Sequence, residues 1–330
     1  MPLSDCNLTE RSCSALHTVL SSESSKLTEV DLSSNHLEDS GVKQLCVGLE
    51  SPNCKLEKLR LLKSAEAEEA YNLLTRMFSK NPLLHTELDL SSRKLTDVRV
   101  DQLSALLQDP HYRLQKLTCC FLQPEATVSM RTVPVLIGKP LTKSCTALAS
   151  ALCTNPSHIR ELDLSGCKLG DSGVEKLCDL LKKHECKLET LRLCYSVSEK
   201  SCTALASALC TNPSHIRELN LSWCELGDSG VEKLCDLLKK HECKLETLRL
   251  RKSVSEKSCT ALASALCTNP SHIRELHLGG CKLGDSGVEK LCDLLKKHEC
   301  KLETLRLSQC RITERGGAAL TAALSSNSSI

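Results

Sequence analysis

The chain has 330 residues, a formal net charge of +2 and only 2% aromatic residues. A charge so balanced argues against nucleic acid or an anionic membrane surface as a partner. There is no 18-residue apolar run to cross a membrane, and the start, Met1-Pro2-Leu3-Ser4-Asp5-Cys6, lacks the charged-then-apolar layout of a secretory signal, which points to the cytoplasm.

In chain order, the first recognisable segment is Leu3–Arg11, which matches Leu307–Arg315 almost letter for letter. It reads as the rear part of a repeat unit without its opening. Ten further units open at Leu27, Leu56, His85, Leu114, Ile159, Leu188, Ile216, Leu245, Ile273 and Leu302. All but one of these steps are 28 or 29 residues, and each unit carries an L-x-x-L-x-L core or a close variant. Self-similarity at this period predicts a leucine-rich-repeat solenoid of about eleven units. The exception is the step from Leu114 to Ile159, which is 45 residues long. Its surplus, residues 122–141, contains three prolines and Val133-Pro134-Val135-Leu136-Ile137. It reads as an irregular insertion, either a functional loop or a bland one. The strand before it, Leu117-Thr118-Cys119-Cys120-Phe121, has cysteine where leucine is usual and is expected to pack less well.

Within a unit such as Ile159–Leu169, alternation turns Leu162 and Leu164 inward and Glu161, Asp163 and Ser165 outward, as in a short strand. Strands are predicted at 30–32, 59–61, 88–90, 162–164, 191–193, 219–221, 248–250, 276–278 and 305–307. Ser172 and Glu175 read as a capping box for a helix whose apolar stripe is Val174, Leu177, Cys178 and Leu181. In the alternate unit Ser201 is the expected cap, and Asn212-Pro213 ends the helix. The predicted fold is therefore α/β: a single domain over 1–330, parallel strands on the concave side, helices on the convex side. Both ends fall inside repeats, so Leu3, Leu8, Leu305, Leu307 and Leu320 are expected to border partly exposed core, and the chain reads as a fragment or incomplete gene model.

Most of the 23 cysteines recur once per repeat, at Cys167/224/281, Cys178/235/292, Cys145/202/259 and Cys153/210/267. They read as small buried hydrophobes and free thiols. The His184-Glu185-Cys186 motif and its two later copies suggest zinc, but they form a ladder rather than a four-ligand cluster, so no metal is expected. Gly170-Asp171-Ser172-Gly173 resembles a serine nucleophile turn, yet it occurs three times before three equivalent helices. Without a partnered base it does not indicate catalysis. Gly138-Lys139-Pro140 lacks the rest of a phosphate loop, and no cofactor is expected.

Residues 144–200 recur at 201–257 with five differences: Asp163/Asn220, Gly166/Trp223, Lys168/Glu225, Cys194/Arg251 and Tyr195/Lys252. All five fall on outward strand positions or the turn after them, while exposed helix residues such as Lys182 and Lys183 are unchanged. Either novelty accumulated on the concave face, or the duplication is too recent to interpret. Tyr195 and Trp223 hold the same repeat position on adjacent units, so they are expected to be neighbours, as hot-spot residues or merely packed on each other and Leu226. The candidate binding patch is Arg192, Tyr195, Asn220, Trp223, Arg249 and Arg251. Outward charges alternate in sign from unit to unit, so much of the face is expected to neutralise itself. That counts against attraction of a strongly basic enzyme.

Leu-x-x-Leu-x-Leu-x-x-Cys-x-Leu at Ile159–Leu169 resembles the ribonuclease-inhibitor subtype of leucine-rich repeat. Finer wording is more specific. Asp31-Leu32-Ser33-Ser34-Asn35, Glu38–Val42 and the recurring Cys-Lys-Leu-Glu-x-Leu-Arg-Leu of 54–61, 186–193, 243–250 and 300–307 are similar to the repeats of NACHT-containing NLR innate immune receptors. The NLR family CARD domain-containing protein 3-like group and the pyrin-domain NLRs show the same wording. The resemblance covers the chain except about 122–141, and it includes no NACHT or effector domain. It implies a non-catalytic protein-binding module, the ligand-sensing or autoinhibitory part of such a receptor, with a protein or microbial ligand on the concave face. The alternative it implies is a stand-alone cytosolic inhibitor or scaffold of ribonuclease-inhibitor type.

Overall fold

The computed structural model describes most of residues 3–60, the strands at 87–89 and 116–118 with a few residues around them, and nearly all of 142–325. The insertion 122–141, Cys119, Cys120, Phe121 and Lys168 lie outside the described residues. Ten strands are described: β1 (Glu29–Asp31), β2 (Lys58–Arg60), β3 (Glu87–Asp89), β4 (Lys116–Thr118), β5 (Glu161–Asp163), β6 (Thr190–Arg192), β7 (Glu218–Asn220), β8 (Thr247–Arg249), β9 (Glu275–His277) and β10 (Thr304–Arg306). The pairings β1–β2, β3–β4 and β6 through β10 are all parallel.

Each strand begins one residue earlier than the alternation predicted. The ladder centres on the first leucine of each Leu-x-Leu pair, as in Leu191 opposite Leu219 and Leu219 opposite Leu248. The second leucine still donates to the next strand, Leu193 N–H to Asn220 O at 2.9 Å. Its carbonyl, however, can turn away into the following bend, as Leu221 O does toward Cys224 N at 3.2 Å. The strand at 116–118 is also present, and Leu117 is fully buried there despite the cysteines that follow it.

Two compact units divide the chain, Met1–Leu162 and Asp163–Ile330. In the first, β1 pairs with β2 and β3 with β4, and the helices Glu10–Ser21 and Asp39–Leu49 pack together. In the second, β6 to β10 lie side by side in sequence order. Their helices, Gly170–Lys182, Glu199–Thr211, Gly227–Lys239, Glu256–Thr268, Gly284–Leu295 and Glu314–Ser325, pack each on the next. The core between strands and helices is a ladder of leucines with Val, Ile, Ala and Cys. Val174, Leu177, Cys178 and Leu181 are buried as the stripe predicted.

The helix caps differ from expectation. The helix at Gly170–Lys182 is preceded by Leu169, with no side-chain cap bond, so Ser172 is not the cap. Gly170 supplies a positive φ of 61° just where the chain enters the helix, and Asp171 in the first turn reaches into the next repeat. Its Oδ1 accepts from Ser198 Oγ at 3.1 Å and Ser201 Oγ at 2.5 Å. Ser198, not Ser201, caps Glu199–Thr211, accepting from Ser201 N. Ser201 Oγ is therefore available to donate to Asp171. Asn212 does end the helix, and its Nδ2 donates to Lys183 O at 3.1 Å, one repeat back. Leu3, Leu8, Leu305, Leu307 and Leu320 are half-buried.

Candidate functional site

All residues of the candidate patch lie on the strands of the second unit or the turns just after them. Two registers organise that face. One row is Arg192, Asn220, Arg249, His277 and Arg306. The row before it is Thr190, Glu218, Thr247, Glu275 and Thr304. Glu218 receives a two-pronged contact from Arg192, at 3.0 Å and 2.9 Å, and a further one from Arg249. Arg249 also donates to Glu275 at 3.0 Å. The expected neutralisation between strands is thus present along Arg192, Glu218, Arg249 and Glu275. Within the first unit, Lys116 pairs with Glu161 at 2.8 Å in the same manner. Asn220 is turned to local work: its Oδ1 accepts from Ser222 N at 3.1 Å, as Asp163 Oδ1 does from Ser165 N. That shared role explains why the Asp163/Asn220 difference leaves the turn intact.

The aromatic pair stands apart from the ion-pair row. Tyr195 and Trp223 stack with ring centroids 5.1 Å apart and planes 17° apart. Lys252 Nζ lies 4.4 Å from the Trp223 ring centre and Arg251 Cζ lies 5.6 Å from it. Tyr195 remains half exposed, at 49%, and desolvation by the stack raises its phenol above the ordinary range. Equivalent positions in successive units are Gly166, Tyr195, Trp223, Lys252, Gly280 and Gln309, and every one has a positive φ, between 55° and 76°. The left-handed region costs a residue with a Cβ about 1–2 kcal/mol. Glycine fills the position in two units, so three consecutive bulky side chains there accept strain that glycine avoids. The Lys252 stem lies where a Cβ on Gly280 would sit, so this column ends on a glycine shelf.

His277 is the residue in this face that sequence reasoning missed. Its Nε2 is buried without a hydrogen bond among the described residues and lies 3.7 Å from Glu275. Burial, then the Arg249 and Arg306 guanidiniums, hold it below the ordinary imidazole range, against Glu275 and Glu218.

The cysteines carry a second omission. The ninth residue of a unit is Asn35, Cys224, Ser253, Cys281 or Cys310, and each is buried. Each donates to a carbonyl of the preceding unit: Asn35 Nδ2 to Leu3 O at 2.7 Å, Cys224 Sγ to Leu193 O at 3.1 Å, Ser253 Oγ to Leu221 O at 2.8 Å, Cys281 Sγ to Leu250 O at 3.0 Å and Cys310 Sγ to Leu278 O at 3.0 Å. The thiols at this position are hydrogen-bond donors as well as small hydrophobes. Burial pushes Cys178, Cys194 and Cys235 up to about 11. In the zinc-like motif Cys186 is buried while His184 is exposed and faces Glu185, so the two do not converge.

Comparison with known proteins agrees with the repeat geometry. A family model described as Leucine Rich repeat matches residues 23–46, 155–178, 212–235, 269–292 and 298–320. The chain is 31% identical to the ribonuclease inhibitor of Sus scrofa, over 99% of this chain and 80% of that protein. It is 36% identical to NACHT, LRR and PYD domains-containing protein 3 of Homo sapiens, over 93% of this chain but 28% of that protein. It is 37% identical to NACHT, LRR and PYD domains-containing protein 12 of Homo sapiens, over 88% of this chain and 26% of that one. With its repeat length, its parallel ladder and its match over 99% of its own length to a ribonuclease inhibitor, the chain belongs to the ribonuclease-inhibitor type of leucine-rich-repeat proteins.

Proposed function

We propose that the chain is a non-catalytic protein-binding module that acts in the cytoplasm, and that it engages a protein partner or microbial ligand through Arg192, Tyr195, Asn220, Trp223, Arg249 and Arg251. One observation carries the reading. Tyr195 and Trp223 are stacked at the surface and held in the left-handed backbone that glycine fills at Gly166 and Gly280. Strain of this kind is retained where something other than stability selects it. Exposed Trp, Tyr and Arg are also the residue types that dominate interface energy. Arg192 and Arg249 are already paired with Glu218, so their part is to fix the face rather than to supply free charge.

The match to receptor repeats supports a sensing or autoinhibitory role beside domains of a larger protein. The match to ribonuclease inhibitor over 80% of its length supports a second reading, a stand-alone inhibitor or scaffold. Affinity capture with the full chain tests the module reading. Trp223→Ala is expected to weaken a captured partner by about 2 kcal/mol or more, whereas Lys182→Ala on the helix face changes nothing measurable. If the Lys182 variant loses the partner and the Trp223 variant keeps it, the reading fails.

A further inference from the structure

At its β8–β10 end the strand face of the second unit carries more cations than carboxylates, with Asp163 lying at the other end on β5. Glu218 and Glu275 are matched to Arg192 and Arg249. His277 adds no positive charge at neutral pH, because its proton affinity is lowered. Three further cations follow: Arg306 at the end of the same row, and Arg251 and Lys252 in the turn after β8. Lys252 lies on the Trp223 ring. Arg251 and Arg306 are exposed and neither forms an ion pair with a described residue, although Arg251 also lies 5.6 Å from the Trp223 ring centre. The exposed Glu225, just past Trp223, is the nearby carboxylate in that turn.

The aromatic end of the same stretch has one open ring face. Trp223 is covered by Tyr195 on the side of β6 and by Lys252 on the side of β8. Beyond Tyr195 the equivalent residue is Gly166, which has no side chain to cover the phenol ring. From Tyr195, after β6, to Arg306, on β10, is four strand spacings, about 19 Å. An extended chain of about six residues spans that length.

We propose that this stretch takes an extended acidic polypeptide segment, with an apolar or aromatic residue seated on the open face of Tyr195, which Trp223 backs, and carboxylates facing Arg251 and Arg306. The inference rests on the binding-module reading and names its ligand chemistry. Charge complementarity selects the acidic segment: two unmatched guanidiniums are suited to paired contacts with carboxylates. A nucleic acid is disfavoured because both faces of Trp223 are already covered, leaving Tyr195 as a single stacking face where single-strand binders stack successive bases.

The test is fluorescence anisotropy with the full chain and four labelled probes: Phe-Glu-Glu-Asp-Glu-Glu, its amide counterpart Phe-Gln-Gln-Asn-Gln-Gln, the basic Phe-Lys-Lys-Arg-Lys-Lys, and a short oligothymidylate. The acidic peptide is expected to bind best, and to weaken several-fold as salt rises past physiological strength. Arg251→Glu and Arg306→Glu are each expected to weaken it by roughly fivefold or more, with Arg251→Lys in between because it keeps the charge but not the two-pronged contact, and Lys182→Glu unchanged. Trp223→Ala is expected to weaken it too. Equal binding of the amide, basic or oligothymidylate probe overturns the proposal. So does failure of the acidic peptide to bind, or indifference to both charge reversals. If a captured protein partner depends on Trp223 while the acidic peptide fails, the module reading stands and the acidic specificity falls.

Discussion

Trp223 sits in a backbone conformation that costs about 1–2 kcal/mol, and its stack with Tyr195 returns about 0.5–1.5 kcal/mol. The two terms nearly cancel, leaving the partial burial of the indole and its contact with Lys252 as its net gain to the fold. Trp223→Gly is expected to cost no more than about 2 kcal/mol of stability, while partner binding falls sharply. Urea unfolding beside a binding titration checks this, and a large loss of stability with binding retained would make Trp223 a structural residue. The neighbourhood of Tyr195 and Trp223 was legible in the sequence, because two copies of one repeat position must lie on adjacent strands. Their left-handed backbone was not, since it follows from glycines at 166 and 280 whose meaning appears only once the turns are aligned in space. His277 was missed for a similar reason: it replaces Asp163 and Asn220 in the third copy, but its burial between Arg249 and Arg306 depends on side-chain packing.

A repeat unit is joined to its neighbours by more than its strand ladder. The ninth-position side chain bonds the carbonyl of the unit before it, whether it is asparagine, serine or cysteine. Cys281→Ala is expected to leave Leu250 O with Ser253 N as its donor and to cost about 0.5–1.5 kcal/mol, and Cys281→Ser is expected to recover much of it, because Ser253 performs the same task one unit earlier. Equal melting temperatures for the two variants would show that the thiol acts by volume alone. Asp228 makes the second tie, accepting from Ser255 and Ser258 of the next repeat, with Ser258 Oγ the closer. Those hydroxyls hold its carboxyl below the usual range. A depressed folded-state value gives stability that is present above the unfolded value and lost as pH falls through the folded one. Asp228→Asn is therefore expected to lower the melting temperature at pH 7 and to matter less near pH 3; a difference that stays constant with pH would show that ionisation is irrelevant to the tie. The sequence placed a helix after each strand of the second unit but put the caps on Ser172 and Ser201, the first because a Ser-x-x-Glu spacing reports a local bond. The observed bonds instead run between repeats, where no local spacing points.

At the scale of the unit formed by residues 163–330, stability is a sum over neighbours rather than one cooperative core. Interior repeats bury their strand leucines on both sides: Leu219, Leu248 and Leu276 are fully enclosed. The last repeat has a neighbour on one side among the described residues, and its Leu305 and Leu307 are half-buried. Its helix, Glu314–Ser325, has only Gly316 and Ala323 buried. Local opening draws on buried contacts, so amides of 304–325 are expected to exchange faster than those of 218–250. Matched substitutions sharpen the contrast. Leu248→Ala leaves a cavity with packed walls and is expected to cost about 2–5 kcal/mol, spreading faster exchange into β7 and β9. Leu305→Ala removes a side chain that is only half-buried and is expected to cost less and to leave exchange at β8 unchanged. Uniform exchange from 218 to 325, or equal costs for the two variants, would mean that this unit opens as a single cooperative block, contrary to a stack in which each repeat depends on its neighbours.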